Sequence, residues 1–314
     1  QEYIYADIDV ALATDKRRPD GTDIFASRRP ELYQAIASDP AGQSLPNQVG
    51  PAEIPAAIIQ LAHAADIEEA VARVREAVDL GARLIALPPL PGDLEQLEQA
   101  SAFGAEVITA LTAVCGAACV ATALVRRTGD GEMRYCAVLI DSSGVVLEQP
   151  QVHASQRHAF SRPAERFEVL DTPHGRLAVV TSDDSIYPES FRLLAMAGAE
   201  VALVPLSPLE HWELSTGLLE RSAENRINLL VAPDTATRGP GFITSLQTDF
   251  TVMTEWQERP FDGLLSQPEW FRSSGEPGVF AATVRPANAA NKVVSLNTDL
   301  LRDRPWNLSA VIAR

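Results

Sequence analysis

Gly175-Arg-Leu-Ala-Val-Val-Thr-Ser-Asp-Asp-Ser-Ile-Tyr-Pro-Glu189 is the stretch that decides the fold. A Gly turn signal leads into Leu177-Ala-Val-Val180, a short apolar run bounded by turn residues, which reads as a buried strand. It gives way to Thr181-Ser-Asp-Asp184, small and acidic groups at the strand's carboxyl end. Pro188 and Glu189 then open a helix, with Pro near its first position and an acid in its first turn. Ligands gather at strand carboxyl ends in α/β architectures, so Ser182 is the candidate reactive position.

The same alternation extends on both sides. Ile54–Leu61 reads as the first strand of a domain. Asp66 with Glu69 forms a capping box for a helix ending near Gly81. Leu84–Leu87 is a strand, and a helical pattern runs from Leu94 to Val114. Strands follow at Cys119–Leu124 and Arg134–Ile140, with a hairpin turn at Asp141–Gly144. Beyond the central stretch come a helix Glu189–Ala197, a strand Val201–Pro205, a helix Gly217–Asn228 and a strand Leu229–Ala232. The remainder to Val284 reads as strands and loops. Short apolar strands alternating with amphipathic helices mean α/β, and the hairpin signals mean a mixed sheet.

Composition sets outer limits. The 314 residues are 46% hydrophobic and 22% charged, an ordinary globular balance. A net charge of -16 argues against nucleic-acid or anionic-membrane partners. No apolar run reaches the roughly 18 residues of a membrane span. The start, Gln1-Glu-Tyr3, has no signal-peptide character and reads as an internal cut in a longer chain. Three cysteines, Cys115, Cys119 and Cys136, form no framework; they suggest buried thiols and a reducing, cytoplasmic setting. No metal site or cofactor is expected.

Residues 1–36 stand apart. Tyr3–Val10 is strand-like, Asp15–Thr22 is a polar turn, and residues 37–51 have linker composition. Arg29-Pro-Glu-Leu-Tyr-Gln-Ala-Ile36 is echoed by Arg304-Pro-Trp-Asn-Leu-Ser-Ala-Val311, each behind an Asp-led segment. The echo divides the chain into an arm at 1–36 that resembles the tail of a preceding domain, a linker at 37–51, and a main domain at 52–314 with its own arm.

From about Ile54 to the end, the chain resembles the nitrilase, or carbon–nitrogen hydrolase, superfamily. The likeness rests on Gly81–Pro88, Ser155–Phe160, Asp171–Leu177, Tyr187–Arg192 with Gly198-Ala-Glu200, and Glu220–Arg226 with its Ala-Glu-Asn core. It implies a four-layer αββα sandwich that pairs with homologous domains into larger assemblies. The family's chemistry uses a Cys nucleophile, a Glu base and a Lys that stabilises the tetrahedral intermediate, often with a second Glu. Carried onto this chain, the Cys position falls at Ser182, the Glu at Pro89, the Lys at Gln151 and the supporting Glu at Gln156. Loss of one member of a nucleophile–base unit costs on the order of 10⁴ to 10⁶ in kcat.

The expectation is a nitrilase-fold pseudoenzyme that serves as an assembly partner of an active amidase or nitrilase domain. Two alternatives stand beside it: hydrolysis of a small amide or nitrile by the parent chain, or a sensor binding an amide, nitrile or carboxylate in the old pocket. Asp183, His153, His211 and Trp212 are the pocket candidates. A new base for Ser182 is disfavoured, because neighbours on a strand point to opposite faces and Asp183 should diverge from it. Asp183-Asp184 with Glu189 or His174 could hold a divalent cation, but Asp184 reads better as a structural acceptor at the elbow.

Overall fold

The computed structural model describes residues 3, 5–41, 50–63, 66–234, 239–247, 269–295 and 298–314. Most of the 37–51 linker lies outside these residues.

The first sheet is built from β1 (Ile54–Gln60), β2 (Leu84–Ala86), β3 (Cys119–Arg127), β4 (Met133–Asp141) and β5 (Gly144–Pro150). Helix α1 (Ile67–Asp79) joins β1 to β2, and α2 (Leu97–Thr112) joins β2 to β3. These crossovers make β1, β2 and β3 parallel, whereas tight turns make β3, β4 and β5 antiparallel. The second sheet contains β6 (Leu170–Thr172), β7 (Gly175–Val179), β8 (Val201–Leu206), β9 (Asn228–Pro233), β10 (Phe242–Ser245) and β11 (Glu269–Arg272). Helices α3 (Pro188–Met196) and α4 (Leu218–Asn225) make the parallel crossovers β7 to β8 and β8 to β9. Strand β12 (Gly278–Val284) returns to pair antiparallel with β1. The orders are β12-β1-β2-β3-β4-β5 and β11-β10-β9-β8-β7-β6.

Three apolar layers bind these elements. Ile58, Leu84 and Leu139 of the first sheet pack on Val179, Leu203 and Leu230 of the second. Ile59, Ile85 and Val138 face Val74, Val107 and Leu111 of α1 and α2. Ala178, Val204 and Leu229 face Phe191, Leu194 and Leu218 of α3 and α4. Helix, sheet, sheet, helix is the αββα sandwich, and the inner strands β1–β4 and β7–β10 are largely buried because both their faces are covered, while the edge strands β5, β6, β11 and β12 are only partly so. The apolar runs therefore carried the element order well.

Local boundaries follow from side chains. Asp66 accepts from Glu69 N at 2.9 Å, while the Glu69 carboxylate reaches back to Ala62 N at 3.0 Å, extending the expected capping box. Gly81, at φ +89, ends α1 in a conformation that L side chains resist. The helix expected over Gly217–Asn228 is shorter. A π turn, Glu213–Gly217, precedes α4, and Arg226 leaves the helix at φ 49 so that Asn228 can begin β9.

The N-terminal arm departs from its reading at one end. Tyr3, Tyr5, Ile8 and Val10 are exposed, and the described residues among 3–9 pair with no strand. Alternation alone builds no strand without a partner edge. From Asp15 onward the arm lies on the domain. A short 3-10 turn, Pro30–Ala35, seats Tyr33 fully in the interior. The echoed segments meet here: Arg304 Nε donates to Ile36 O at 3.1 Å, and its Nη2 to Ser38 O at 2.8 Å. In return Arg28 Nη2 donates to Ile312 O at 3.2 Å and Gln34 Nε2 to Ala313 O at 3.0 Å.

Candidate functional site

Strand β7 stops at Val179, and residues 181–185 form a tight turn closed by Ser185 N donating to Thr181 O at 3.1 Å. Strand alternation therefore does not govern Ser182, Asp183 and Asp184; the turn directs each one separately.

Ser182 is fully buried. Its hydroxyl donates to Pro205 O at 3.2 Å and accepts from Ser207 N at 2.8 Å. The hydroxyl proton is thus committed to a carbonyl at the end of β8, and an amide occupies the oxygen. Among the described residues no histidine or carboxylate bonds to this oxygen. Tyr135 is its other polar neighbour, and burial pushes that phenol far above its ordinary range, so it offers no base.

Asp183 lies in a cage of cations. Arg18 Nη1 reaches it at 2.8 Å from the N-terminal arm, and Arg157 Nη2 at 2.7 Å from the loop after β5. His158 Nδ1 stands 3.0 Å from Asp183 Oδ2 and 3.0 Å from Gln151 Oε1. Both are acceptors, so Nδ1 carries the proton. Burial alone would raise the Asp183 carboxyl; the His158 hydrogen bond and the Arg157 guanidinium outweigh it and hold the group well below the carboxylate range. Burial lowers His158 despite the acid beside it, which keeps the ring neutral. Arg18 spans to a second acid, Glu213 in the π turn, at 2.9 Å. Burial raises Glu213, with Arg18 opposing. Two guanidinium groups and two acidic side chains thus form one ion cluster at the elbow.

Asp184 is held by hydrogen bonds of another kind. It accepts from Val152 N (3.0 Å), His153 N (2.8 Å), Thr181 Oγ1 (2.7 Å) and His153 Nδ1 (2.8 Å). The far nitrogen of His153 meets Tyr33 Oη of the arm at 2.7 Å. This Asp–His–Tyr chain has no exposed member, and it ties the arm to the elbow.

The remaining family positions divide. Gln151 is buried and spent: its amide nitrogen donates to His153 O (2.6 Å) and Ser155 Oγ (3.1 Å). Pro89 is buried just past β2, beside a Pro88 carbonyl that accepts from Thr122 Oγ1. Gln156 is exposed, and its side chain lies toward Gly21 rather than with Ser182. Its backbone N–H donates to Thr22 Oγ1, which ties this loop to the arm. His211 is exposed near Gly239, and Trp212 lies toward the arm. The four pocket candidates therefore do not share one cavity. His174 bonds Ala117 O and Glu189 pairs with Arg28, and among the described residues neither forms a hydrogen bond or ion pair with Asp183 or Asp184. No group of three or more His, Cys, Asp or Glu side chains is placed to hold a metal among the described residues.

Arg18, Arg157, Glu213 and Tyr33 escaped the sequence reading. Arg18 is 165 residues from Asp183 and 195 from Glu213, and no local pattern encodes such a pairing. The cysteines offer no replacement nucleophile. All three are buried and unpaired, and burial pushes the Cys119 thiol up to about 12.

Known proteins share this architecture. The amidase from Nesterenkonia sp. AN1, as a double mutant in complex with acrylamide, matches with a TM-score of 0.62 and 20% identity, covering 84% of this chain and 98% of its own. A mutant of that amidase with the acetamide moiety of fluoroacetamide on its active-site cysteine gives 0.59 and 19%, covering 79% and 97%. In sequence, 94 residues are 32% identical to the deaminated glutathione amidase of Yersinia enterocolitica, covering 28% of this chain and 32% of that protein. The chain thus matches about a third of that relative's length. Residues 55–249, more than half of the chain, match the carbon-nitrogen hydrolase family, and the chain belongs to that family.

Proposed function

We propose that this domain has kept the family's fold and given up its hydrolysis, and that it serves as a structural partner of a homologous nitrilase-fold domain that is active. The observation that carries this reading is the state of the elbow. Ser182 is hydrogen-bonded to backbone on both sides, with no base on it among the described residues, and the neighbouring Asp183 is tied up by Arg18 and Arg157. Attack on an amide or nitrile carbon needs a nucleophile, a proton acceptor and a stabilised oxyanion. Here the first is pinned, the second is proline, and the third is a glutamine whose amide is already engaged. The three buried free thiols support a cytoplasmic setting.

The test is ammonia release from a panel of small amides and nitriles. We expect none above background. Release that vanishes in Ser182→Ala would overturn the reading. The likeness to amidases favours a second reading, in which a longer chain containing this domain hydrolyses a small amide elsewhere along its length.

A further inference from the structure

The two ends of the chain are built alike, bond for bond. The 3-10 turn Val10–Thr14 has its counterpart in Pro286–Ala290. Arg17 then pairs antiparallel with Asp23, and Val293 with Asp299. Ile24 N donates to Lys16 O at 3.0 Å, and Leu300 N to Lys292 O at 2.9 Å. Asp23 Oδ1 accepts from Phe25 N and Ala26 N at 2.9 and 3.0 Å, and Asp299 Oδ1 from Leu301 N and Arg302 N at 2.8 and 2.9 Å. The last turns agree too, with Ile36 N on Tyr33 O and Ile312 N on Ser309 O, each at 2.9 Å. Every pair is separated by the same interval of sequence, so Ile8 answers to Val284, Lys16 to Lys292, Phe25 to Leu301 and Arg28 to Arg304.

The copies differ in what covers them. Val284 is fully buried where β12 runs along β1, whereas Ile8 is 82% exposed, and Tyr3 and Tyr5 are exposed with it. Lys292, 3% exposed, caps the end of α4 through Asn225 O at 3.1 Å and Arg226 O at 2.9 Å. Lys16 sits 5.3 Å over the Phe25 ring and reaches no carbonyl among the described residues. Leu301, 8% exposed, lies in the apolar layer with Phe191 and Leu194 of α3, whereas Phe25 is 60% exposed. The bare residues of the first copy are thus the ones that a body covers in the second. The arms also touch reciprocally: Arg28 donates to Ile312 O, and Arg304 to Ile36 O. Reciprocal contact between equivalent residues is the mark of a two-fold axis.

We propose that residues 5–36 close a second body of this same fold, which precedes them in the polypeptide and is related to this one by that axis. Residues 5–8 lie along its first strand, Lys16 caps its fourth helix, and Phe25 enters its outer apolar layer. A second copy of this chain is not the occupant, because its own β12, Lys292 and Leu301 already fill those places. Chain order agrees, since a closing strand such as β12 follows the body that it closes. This surface is where the partnership proposed above forms, and it rests on that reading; Ser182 plays no part in it.

The test compares the 314-residue chain with the native gene product, by intact mass and by hydrogen exchange. The native gene product is expected to be longer by a body of similar size. Its amides at residues 5–14 should exchange about a hundredfold more slowly than in the chain alone. A lysine-acylating reagent should modify Lys16 in the chain and spare it in the native gene product, while sparing Lys292 in both. Phe25→Asp should speed exchange at residues 5–14 of the native gene product about tenfold and leave the Tm of the chain alone unchanged. A native gene product no longer than this chain would overturn the proposal. So would residues 5–14 as bare in it as in the chain, or no effect of Phe25→Asp on their exchange. Protection in the chain alone that rises with its concentration would also overturn it, by making a second copy the occupant. Ammonia release that depends on Ser182 would instead overturn the pseudoenzyme reading and leave these results unmoved.

Discussion

Asp183 and Asp184 are neighbours in one turn, both buried, and the protein compensates them by opposite means. Asp183 is matched by charge: two guanidinium groups and a neutral imidazole face it. Asp184 is matched by dipoles: two backbone amides, a hydroxyl and an imidazole nitrogen. The partners also differ in origin. Asp184 draws chiefly on the adjacent loop at Val152–His153, which the elbow itself positions. Asp183 depends on Arg18, which is present only because the arm has docked. One acid therefore belongs to the fold, and the other to its association with the arm.

The comparison breaks most severely at the charged member. Asp183→Asn would leave Arg18 and Arg157 buried without their shared counter-charge, at a cost of about 3–5 kcal/mol. Urea denaturation at neutral pH measures it. Asp184→Asn removes an acceptor and sets an amide N–H against groups that also donate; the expected loss is about 1–3 kcal/mol, by the same measurement. Tyr33→Phe should cost about 1 kcal/mol, since one hydrogen bond to His153 disappears while the ring stays packed. If Asp184→Asn proves as costly as Asp183→Asn, the distinction between charge and dipole compensation falls.

Acid separates Asp183 from Glu213 more gently. The Asp183 carboxyl is held below its unfolded value of 3.8, so the folded state binds fewer protons there. Its stabilisation is present above pH 4 and is lost as pH falls below. Glu213 is raised above 4.5, so its contribution is present below that value and fades as pH rises through the folded value. Stability measured from pH 2.5 to 7 should show both slopes. Asp183→Asn should flatten the acid limb, and Glu213→Gln the decline above pH 4.5.

Much of the fold was legible because burial on both faces leaves a sequence trace. Leu84-Ile-Ala86 and Val201-Ala-Leu-Val204 are continuous apolar runs that surface segments do not carry. The position of Ser182 was equally legible, since a strand end followed by a Pro-led helix is a local signal. The site's occupants were not. Arg18 sits in Lys16-Arg-Arg-Pro-Asp-Gly21, which reads as a solvated turn, yet its neighbour Arg17 is exposed while Arg18 is buried. Only the docking of the arm distinguishes them. The π turn at Glu213 was hidden for a related reason: one extra residue in a helix leaves the apolar pattern nearly intact while re-aiming a carboxylate. Gln156 differs again, because the likeness gave it a place in the chain but not the path of a loop bound to Thr22.

The two Arg-Pro arms lace into each other through Arg28, Gln34 and Arg304. In hydrogen-exchange terms they are expected to open as a single unit rather than as two fraying ends. The amides of Leu32 and Ile36, bonded within the first arm, should then exchange at one rate with those of Leu308 and Ile312 in the second. If the opening extends to the turn at Asp15–Thr22, it should also withdraw Arg18 from Asp183. A clip by a protease near the last residues would thus be felt some 130 residues away in sequence, at the elbow, as the loss of a counter-charge.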